Sequence, residues 1–444
     1  AMHYEVAVMN YPLFEPGRTQ QDPRALLLDS LPFFEHPHLP AARTPVYIHI
    51  PFCGSLCDFC VYNRMLAPGN KEVVEAFVDA LIREIGIYAR SERVAGTKIA
   101  AVFLGGGTPS VLSKRQLERI LQALHKAFDL RGCEMTVECN PLNATREKLT
   151  VLKENGVTRV SAGIQSFRDS IRKTYHIARL SHSVELWLDM LRDFHFDDES
   201  LDILYGFPGT GIEELLRDVQ HAIDRGMGHI SLYKLVVFAY TKLYKDLDRR
   251  PSDKLPDAES CFSMFRAAHR LLLQSGYTLQ SVQEYGKAGK STRFWDTTYD
   301  GFGDNIAIGV SSFGYLNGYC YQNAESVEEY IKALQNDRLP VERISAQITP
   351  EQLRERAVIM GFRKGRVLRN PFFDAFHISM DTVFEEPLRR LAEDGLIAND
   401  PEGYVLTEKG LYHQGNVSAE LMVSLFRGVS ALRKKMCIGS HTMP

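Results

Sequence analysis

The sequence predicts an α/β protein: six parallel strands in a partial, open (β/α)6 TIM-like barrel, followed by a small, mostly helical, winged-helix-like domain. Three observations lead there. Short apolar runs alternate with amphipathic helical stretches between residues 45 and 237. Cysteines, glycine runs and single carboxylates recur just after those runs, at the sheet edge where parallel α/β folds place their chemistry. After residue 345 the rhythm changes to helix, helix and a short hairpin.

Taken in order, residues 1–45 are rich in proline and aromatics ("NYPLFEP", "LPFFEHPHLP") and read as a surface arm. "PVYIHI" (45–50) is the first strand. The stretch 71–92 has apolar residues at 73, 74, 77, 78, 81, 82 and 85, the stripe of an amphipathic helix. "KIAAVFLGGGTP" (98–109) is a buried strand ending in glycines, and 113–128 a helix opened by Ser113. "EMTVECNP" is a strand, and the helix after it is closed by Gly156. "RVSAGIQSF", "ESLDILYGFPG" and "HISLYKLVV" are three more strands, with helical stretches between them. Six strands are too few to close an eight-stranded barrel, so the expected barrel is open. The expected divisions are an arm (1–45), the barrel with its extension (46–340), the winged-helix-like domain (341–430) and a tail (431–444).

Composition narrows the function. Apolar residues make up 45% of the 444, ordinary for a protein with a large core, and the net charge is −3. That balance argues against a general nucleic-acid or membrane partner. There is no apolar run of the length a membrane span needs, about 18 residues or more. The winged-helix-like segment lacks a basic recognition helix, which points to packing or a lid rather than DNA binding.

Cys53, Cys57 and Cys60 crowd into the first loop, "PFCGSLCDFC". Three is the wrong number for a disulfide framework, and structural zinc prefers four ligands, often in two C-x2-C pairs. Three thiolates at C-x3-C-x2-C spacing suit three irons of a cubane [4Fe–4S] cluster, leaving the fourth open to an exogenous ligand. Cys133, Cys139, Cys261, Cys320 and Cys437 are scattered, which fits a reducing cytoplasm. "GGGTP" lacks the lysine of a Walker loop and the G-x-x-G of a dinucleotide fold. Its glycines let a ligand approach the backbone.

"YIHIPFC", "FLGGGTPS", "VECNP", "VSAGIQSF" and "LDILYGFPG", in that order, resemble the oxygen-independent coproporphyrinogen dehydrogenase (HemN-like) family of radical S-adenosylmethionine (SAM) enzymes, over roughly residues 45–320. The resemblance implies a [4Fe–4S] cluster on Cys53, Cys57 and Cys60 with a first SAM on its open iron. Gly106, Gly107 and Thr108 would meet the amino and carboxylate groups of that SAM; Glu138, Gln165, Arg179 and Asp202 would complete its site, with Tyr47 and Phe59 beside cluster and adenine. The family's G-R-x-H is replaced here by "YHIARLSHS", so Arg172 competes with Arg179. A second SAM would lie near Tyr205, Gly206, Val236, Val237 and Phe313. No catalytic residue is assigned.

Tyr62 stands where the family's decarboxylase has a further cysteine, and about 45 residues precede the first strand, unlike the heme-chaperone branch. The resemblance therefore favours the class C methyltransferase/cyclopropanase type. There a first SAM yields a 5′-deoxyadenosyl radical and a second donates carbon to an sp2 centre. Coproporphyrinogen III oxidation, anaerobic heme breakdown and heme chaperoning are the alternatives. The implied partners are a flat unsaturated substrate, heteroaromatic or tetrapyrrole-like, and a flavodoxin- or ferredoxin-type electron donor. A cytoplasmic monomer is expected.

Overall fold

The computed structural model describes residues 22–29, 43–249, 254–300 and 303–424. Most of the proposed arm and all of the proposed tail lie outside them.

The alternating segments form six parallel strands with helices between. They are β1 (Arg43–Ile50), α1 (Lys71–Ala89), β2 (Lys98–Gly106), α2 (Lys114–Ala127), β3 (Glu134–Cys139), α3 (Arg146–Glu154) and β4 (Arg159–Gln165). After them come α4 (Asp169–Thr174), α5 (Ser181–Arg192), β5 (Asp198–Tyr205), α6 (Ile212–Asp224), β6 (His229–Lys234), α7 (Lys242–Arg249) and α8 (Ala258–Gln274). Local chemistry starts the helices. The Asn70 side chain accepts from Glu72 N–H at the start of α1, and Ser113 and Gln116 form a reciprocal capping box on α2.

The sheet extends beyond the six expected strands. A short antiparallel pair, β7 (Tyr277–Ser281) and β8 (Glu284–Lys287), continues it past β6. After α9 (Arg293–Thr298), β9 (Ile306–Gly309) pairs in parallel with the other edge, against β1. The nine strands run in the order β9-β1-β2-β3-β4-β5-β6-β8-β7. These three additions are only four or five residues long, too short to show a period of two.

Each long strand divides its side chains between two environments. Val46, Ile48, Val102, Leu104, Val137, Val160, Ile164, Leu201, Ile203, Ile230 and Leu232 are buried in the main core under the helices. The alternate positions, including Tyr47, Phe103, Glu138, Gln165, Asp202 and Tyr233, face the lumen. The lumen floor is closed in two ways. Phe294 and Trp295 of α9 pack against Phe103 and Tyr47. At the N-terminal strand ends, Asp198 bonds His229 Nδ1 and Arg159, and His229 Nε2 meets the Thr292 hydroxyl at 3.2 Å.

Beyond β9, the strands β10 (Phe313–Leu316), β11 (Tyr319–Asn323) and β12 (Val341–Ile344) make a second sheet, with α10 (Val327–Gln335) between the last two. A third sheet, β13 (Arg366–Leu368), β14 (Ile397–Asp400) and β15 (Gly403–Leu406), sits among helices that begin with α11 (Pro350–Arg363). This segment is tied to the barrel by Lys234 Nζ to Tyr412 Oη at 2.8 Å and by Arg270 gripping Glu408 at 2.9 and 3.0 Å. Among the described residues no helix is long and apolar enough to cross a membrane.

Candidate active site at the mouth of the barrel

The loop after β1 carries Cys53, Cys57 and Cys60, all free thiols. It is held by its backbone: Met65 N–H donates to Pro51 O at 2.8 Å, Ala67 N–H to Cys53 O at 2.9 Å, and Cys60 N–H to Cys57 O at 3.3 Å. Asp58, only 5% exposed, fastens the loop to its neighbours. Its carboxylate takes His176 Nδ1 at 2.9 Å and Lys242 Nζ at 2.8 Å. Its backbone meets Tyr175 O and Leu243 N–H at 3.2 and 2.9 Å. Phe59 packs with Ile171, Tyr175, Phe207 and Leu235, and Cys57 and Cys60 lie against this small core.

Burial raises the thiols, Cys53 to about 11 and Cys57 to about 12, and lifts Cys60 as well. Thiolates there need a cation to hold them. Among the described residues no three His, Cys, Asp or Glu side chains surround one point, as a single ion requires. A cubane needs no such convergence, because each thiolate binds its own iron. The donor set therefore fits three sites of a cluster.

The glycine run lies directly on this loop. Gly107 N–H donates to Ile50 O at 2.7 Å, Thr108 N–H to Phe52 O at 2.8 Å, and the Thr108 hydroxyl meets Cys53 Sγ at 3.7 Å. A side chain on Gly107 would strike Phe52 O at 2.6 Å, and one on Gly105 would strike the Glu138 carboxylate at 2.9 Å. Gly106 has φ +105° and its vacant side faces the His49 ring. His49 Nε2 donates to Asn63 O at 3.0 Å, so Nδ1 accepts from the Tyr47 hydroxyl at 3.1 Å. Burial lowers His49 to about 4, keeping it neutral.

Glu138 accepts from Gly106 N–H at 3.1 Å. Burial, and then the Asp202 carboxylate, raise it to about 8. Gln165, at φ +69° in a β-bulge, folds its amide over Gly163, with Asp202 beside it. Arg172, 1% exposed, gives its guanidinium to the carbonyls of Ile164, Ser166, Ala178 and Arg179 at 2.5–2.8 Å. Four of its five N–H groups are taken by these carbonyls, whereas the Arg179 side chain is exposed.

The residues expected around a second ligand are spread more widely. Tyr205 is buried, Gly206 follows at φ +90°, and Leu235 N–H bonds Tyr205 O at 2.8 Å. Val237 lies on the small core beside the cysteines, Val236 is half-buried, and Phe313 opens β10 in the separate sheet.

Sequence reasoning missed several groups. Glu284 on β8 accepts from Ser231 Oγ at 2.9 Å and Tyr233 Oη at 2.6 Å. No motif marks this glutamate; only the antiparallel strand brings it in. Trp295 and Tyr299 stack at 5.3 Å on the floor. Tyr62 is 63% exposed, and the Glu138 and Asp202 carboxylates are among the groups that raise its phenol.

Comparisons with known proteins agree with this fold. Residues 47–222 match the Radical SAM superfamily, and residues 348–413 match the HemN C-terminal domain. The chain is 29% identical over 386 residues to heme chaperone HemW of Lactococcus lactis, covering 85% of this chain and 97% of that one. It is 25% identical over 422 residues to oxygen-independent coproporphyrinogen III oxidase of Helicobacter pylori, 91% of each. In fold it resembles coproporphyrinogen III oxidase (HemN) of Escherichia coli, with TM-score 0.73, 22% identity, and coverage of 86% of this chain and 91% of that one.

Proposed function

The chain belongs to the HemN-like family of radical SAM proteins, and from that premise we propose an enzyme that acts on a tetrapyrrole. The observation that carries this is the cysteine loop and glycine run seated over a lumen with an aromatic floor, Phe103, Trp295 and Tyr299. Both relatives compared above are named for a tetrapyrrole, heme or coproporphyrinogen III.

When bound, the cluster and SAM supply a 5′-deoxyadenosyl radical. The chain's own residues do the rest. Cys53, Cys57 and Cys60 hold the cluster. Gly106, Gly107 and Thr108 leave room for the amino acid end of SAM, with Glu138, Gln165, Asp202 and the exposed Arg179 around it. Asp58 keeps the cysteine loop in register with the mouth. The C-terminal segment, clamped to the barrel through Tyr412 and Glu408, would help to shield the site from water.

A heme chaperone is the second reading, favoured by the HemW relative's coverage. Carbon transfer from a second SAM has less behind it: neither relative's name carries it, and its expected residues are dispersed. One anaerobic incubation with SAM, reductant and either heme or coproporphyrinogen III separates all three. 5′-Deoxyadenosine with an altered tetrapyrrole supports the proposal. S-adenosylhomocysteine in equal yield would return the reading to methyl transfer. Tight heme binding without SAM cleavage would make the protein a chaperone.

A further inference from the structure

The cysteine loop carries its own cation. Arg64 follows Cys60 closely in the chain, and its guanidinium turns back onto the loop. Nη2 donates to Cys57 O at 3.1 Å and Nη1 to Tyr62 O at 3.4 Å. Cys57 O also accepts from Cys60 N–H at 3.3 Å, so the guanidinium is anchored at the turn between two of the three cysteines. Its Nε is buried and, among the described residues, has no hydrogen-bond partner. The other cations that meet this loop are already committed. Lys242 bonds Asp58 at 2.8 Å and Asp246 at 2.7 Å, and His176 bonds Asp58 at 2.9 Å. Arg172 is taken up by backbone carbonyls. Among the described residues Arg64 forms no ion pair, so no carboxylate cancels its charge locally.

We propose that Arg64 is the cation that sets the reduction potential of the cluster held by Cys53, Cys57 and Cys60, raising it above that of the same loop without the charge. The inference rests on the reading that a [4Fe–4S] cluster occupies this loop. A cluster bound through thiolates is anionic, and one electron makes it more so; a fixed cation therefore stabilises the reduced form more than the oxidised one. The electron comes from an external reductant, no bond is made or broken, and no proton moves.

The thiols already feel this charge. Burial is the largest influence and raises all three, while Arg64 pulls each of them down. Glu138 acts in the opposite sense on Cys53 and Cys60. Arg64 is half-buried, so water screens part of its field and the expected effect is modest.

The test is a redox titration of the cluster-reconstituted protein, followed by electron paramagnetic resonance of the reduced cluster, in wild type, Arg64→Gln and Arg64→Lys. At the wild-type midpoint, Arg64→Gln should lower the ratio of reduced to oxidised cluster about threefold or more; a tenfold fall would be a shift of about 59 mV. Arg64→Met is the second neutral variant should the first misfold. Arg64→Lys keeps the charge without the planar fork and should recover at least half of the shift. A wild-type midpoint in the neutral variant overturns the inference, and so does an Arg64→Lys midpoint no higher than the neutral one. Failure of both neutral variants to hold a cluster would make Arg64 a structural support and overturn it too. A wild-type protein that takes up no cluster on reconstitution overturns the cluster reading itself.

Discussion

Glu138 reaches Gly106 N–H at 3.1 Å only because Gly105 has no side chain, for a Cβ there would lie 2.9 Å from the carboxylate. The glycine run and the acid are therefore one device, built across β2 and β3. Gly105→Ala should displace the carboxylate and Glu138→Gln should change its charge. Each is expected to weaken SAM binding about tenfold or more, the scale of one lost charged hydrogen bond, while iron content stays at the wild-type level. Equilibrium binding of SAM checks this; unchanged affinity in both variants would make Glu138 structural.

Iron should follow three cysteines and no others. Cys133, Cys139, Cys261 and Cys320 are buried away from the loop, and burial holds each thiol above its usual range. Replacing Cys53, Cys57 and Cys60 together by alanine should abolish the brown colour and the bound iron. Alanine at these four and at Cys437, the other five cysteines of the chain, should leave both in place. Iron near four per chain in the triple variant would refute the assignment.

Asp58 predicts how long the cluster lasts rather than whether it forms. Its bonds to His176 and Lys242 join the cysteine loop to two other segments of the mouth. Asp58→Ala should still accept a cluster on reconstitution but lose it several-fold faster to a chelator, because the loop opens more often. Bleaching at the wild-type rate would show that the loop needs no such tie.

Glu84 on α1 is completely buried and accepts from Gly309 N–H at 2.8 Å, Asn323 Nδ2 at 2.7 Å and Tyr330 Oη at 2.5 Å. It binds β9, β11 and α10 to the helix that follows the cysteine loop. Burial is the largest influence and raises it from 4.5 to about 7, although all three bonds pull down. A folded-state value above the unfolded one stabilises fully below the unfolded value. That contribution fades as pH rises from 4.5 to 7. Denaturant melts of wild type against Glu84→Gln should differ by a slope of up to about 1.4 kcal/mol per pH unit in that window. Parallel pH profiles would contradict it.

Much of the barrel was legible because its long strands carry a period of two and end in distinctive residues. "TVEC" and "SAGIQ" alternate since one face meets helices and the other a polar lumen. The cysteine loop and glycine run were legible because their chemistry is local. Glu284, Trp295 and Tyr299 were not, because long-range pairing brings them to the lumen from after residue 276. Sequence spacing also could not choose between Arg172 and Arg179. What the sequence could not show is the left-handed turn at Arg179, φ +66°, whose carbonyl helps to occupy the Arg172 guanidinium.

The central claim is that this lumen directs SAM-derived radical chemistry at a tetrapyrrole. It is tested most directly by anaerobic turnover of the reconstituted protein with SAM, reductant, and heme or coproporphyrinogen III, read by mass spectrometry. The account predicts 5′-deoxyadenosine that requires Cys53, Cys57 and Cys60, together with a tetrapyrrole of changed mass. Cysteine-dependent 5′-deoxyadenosine with both tetrapyrroles recovered unbound and unchanged would contradict it.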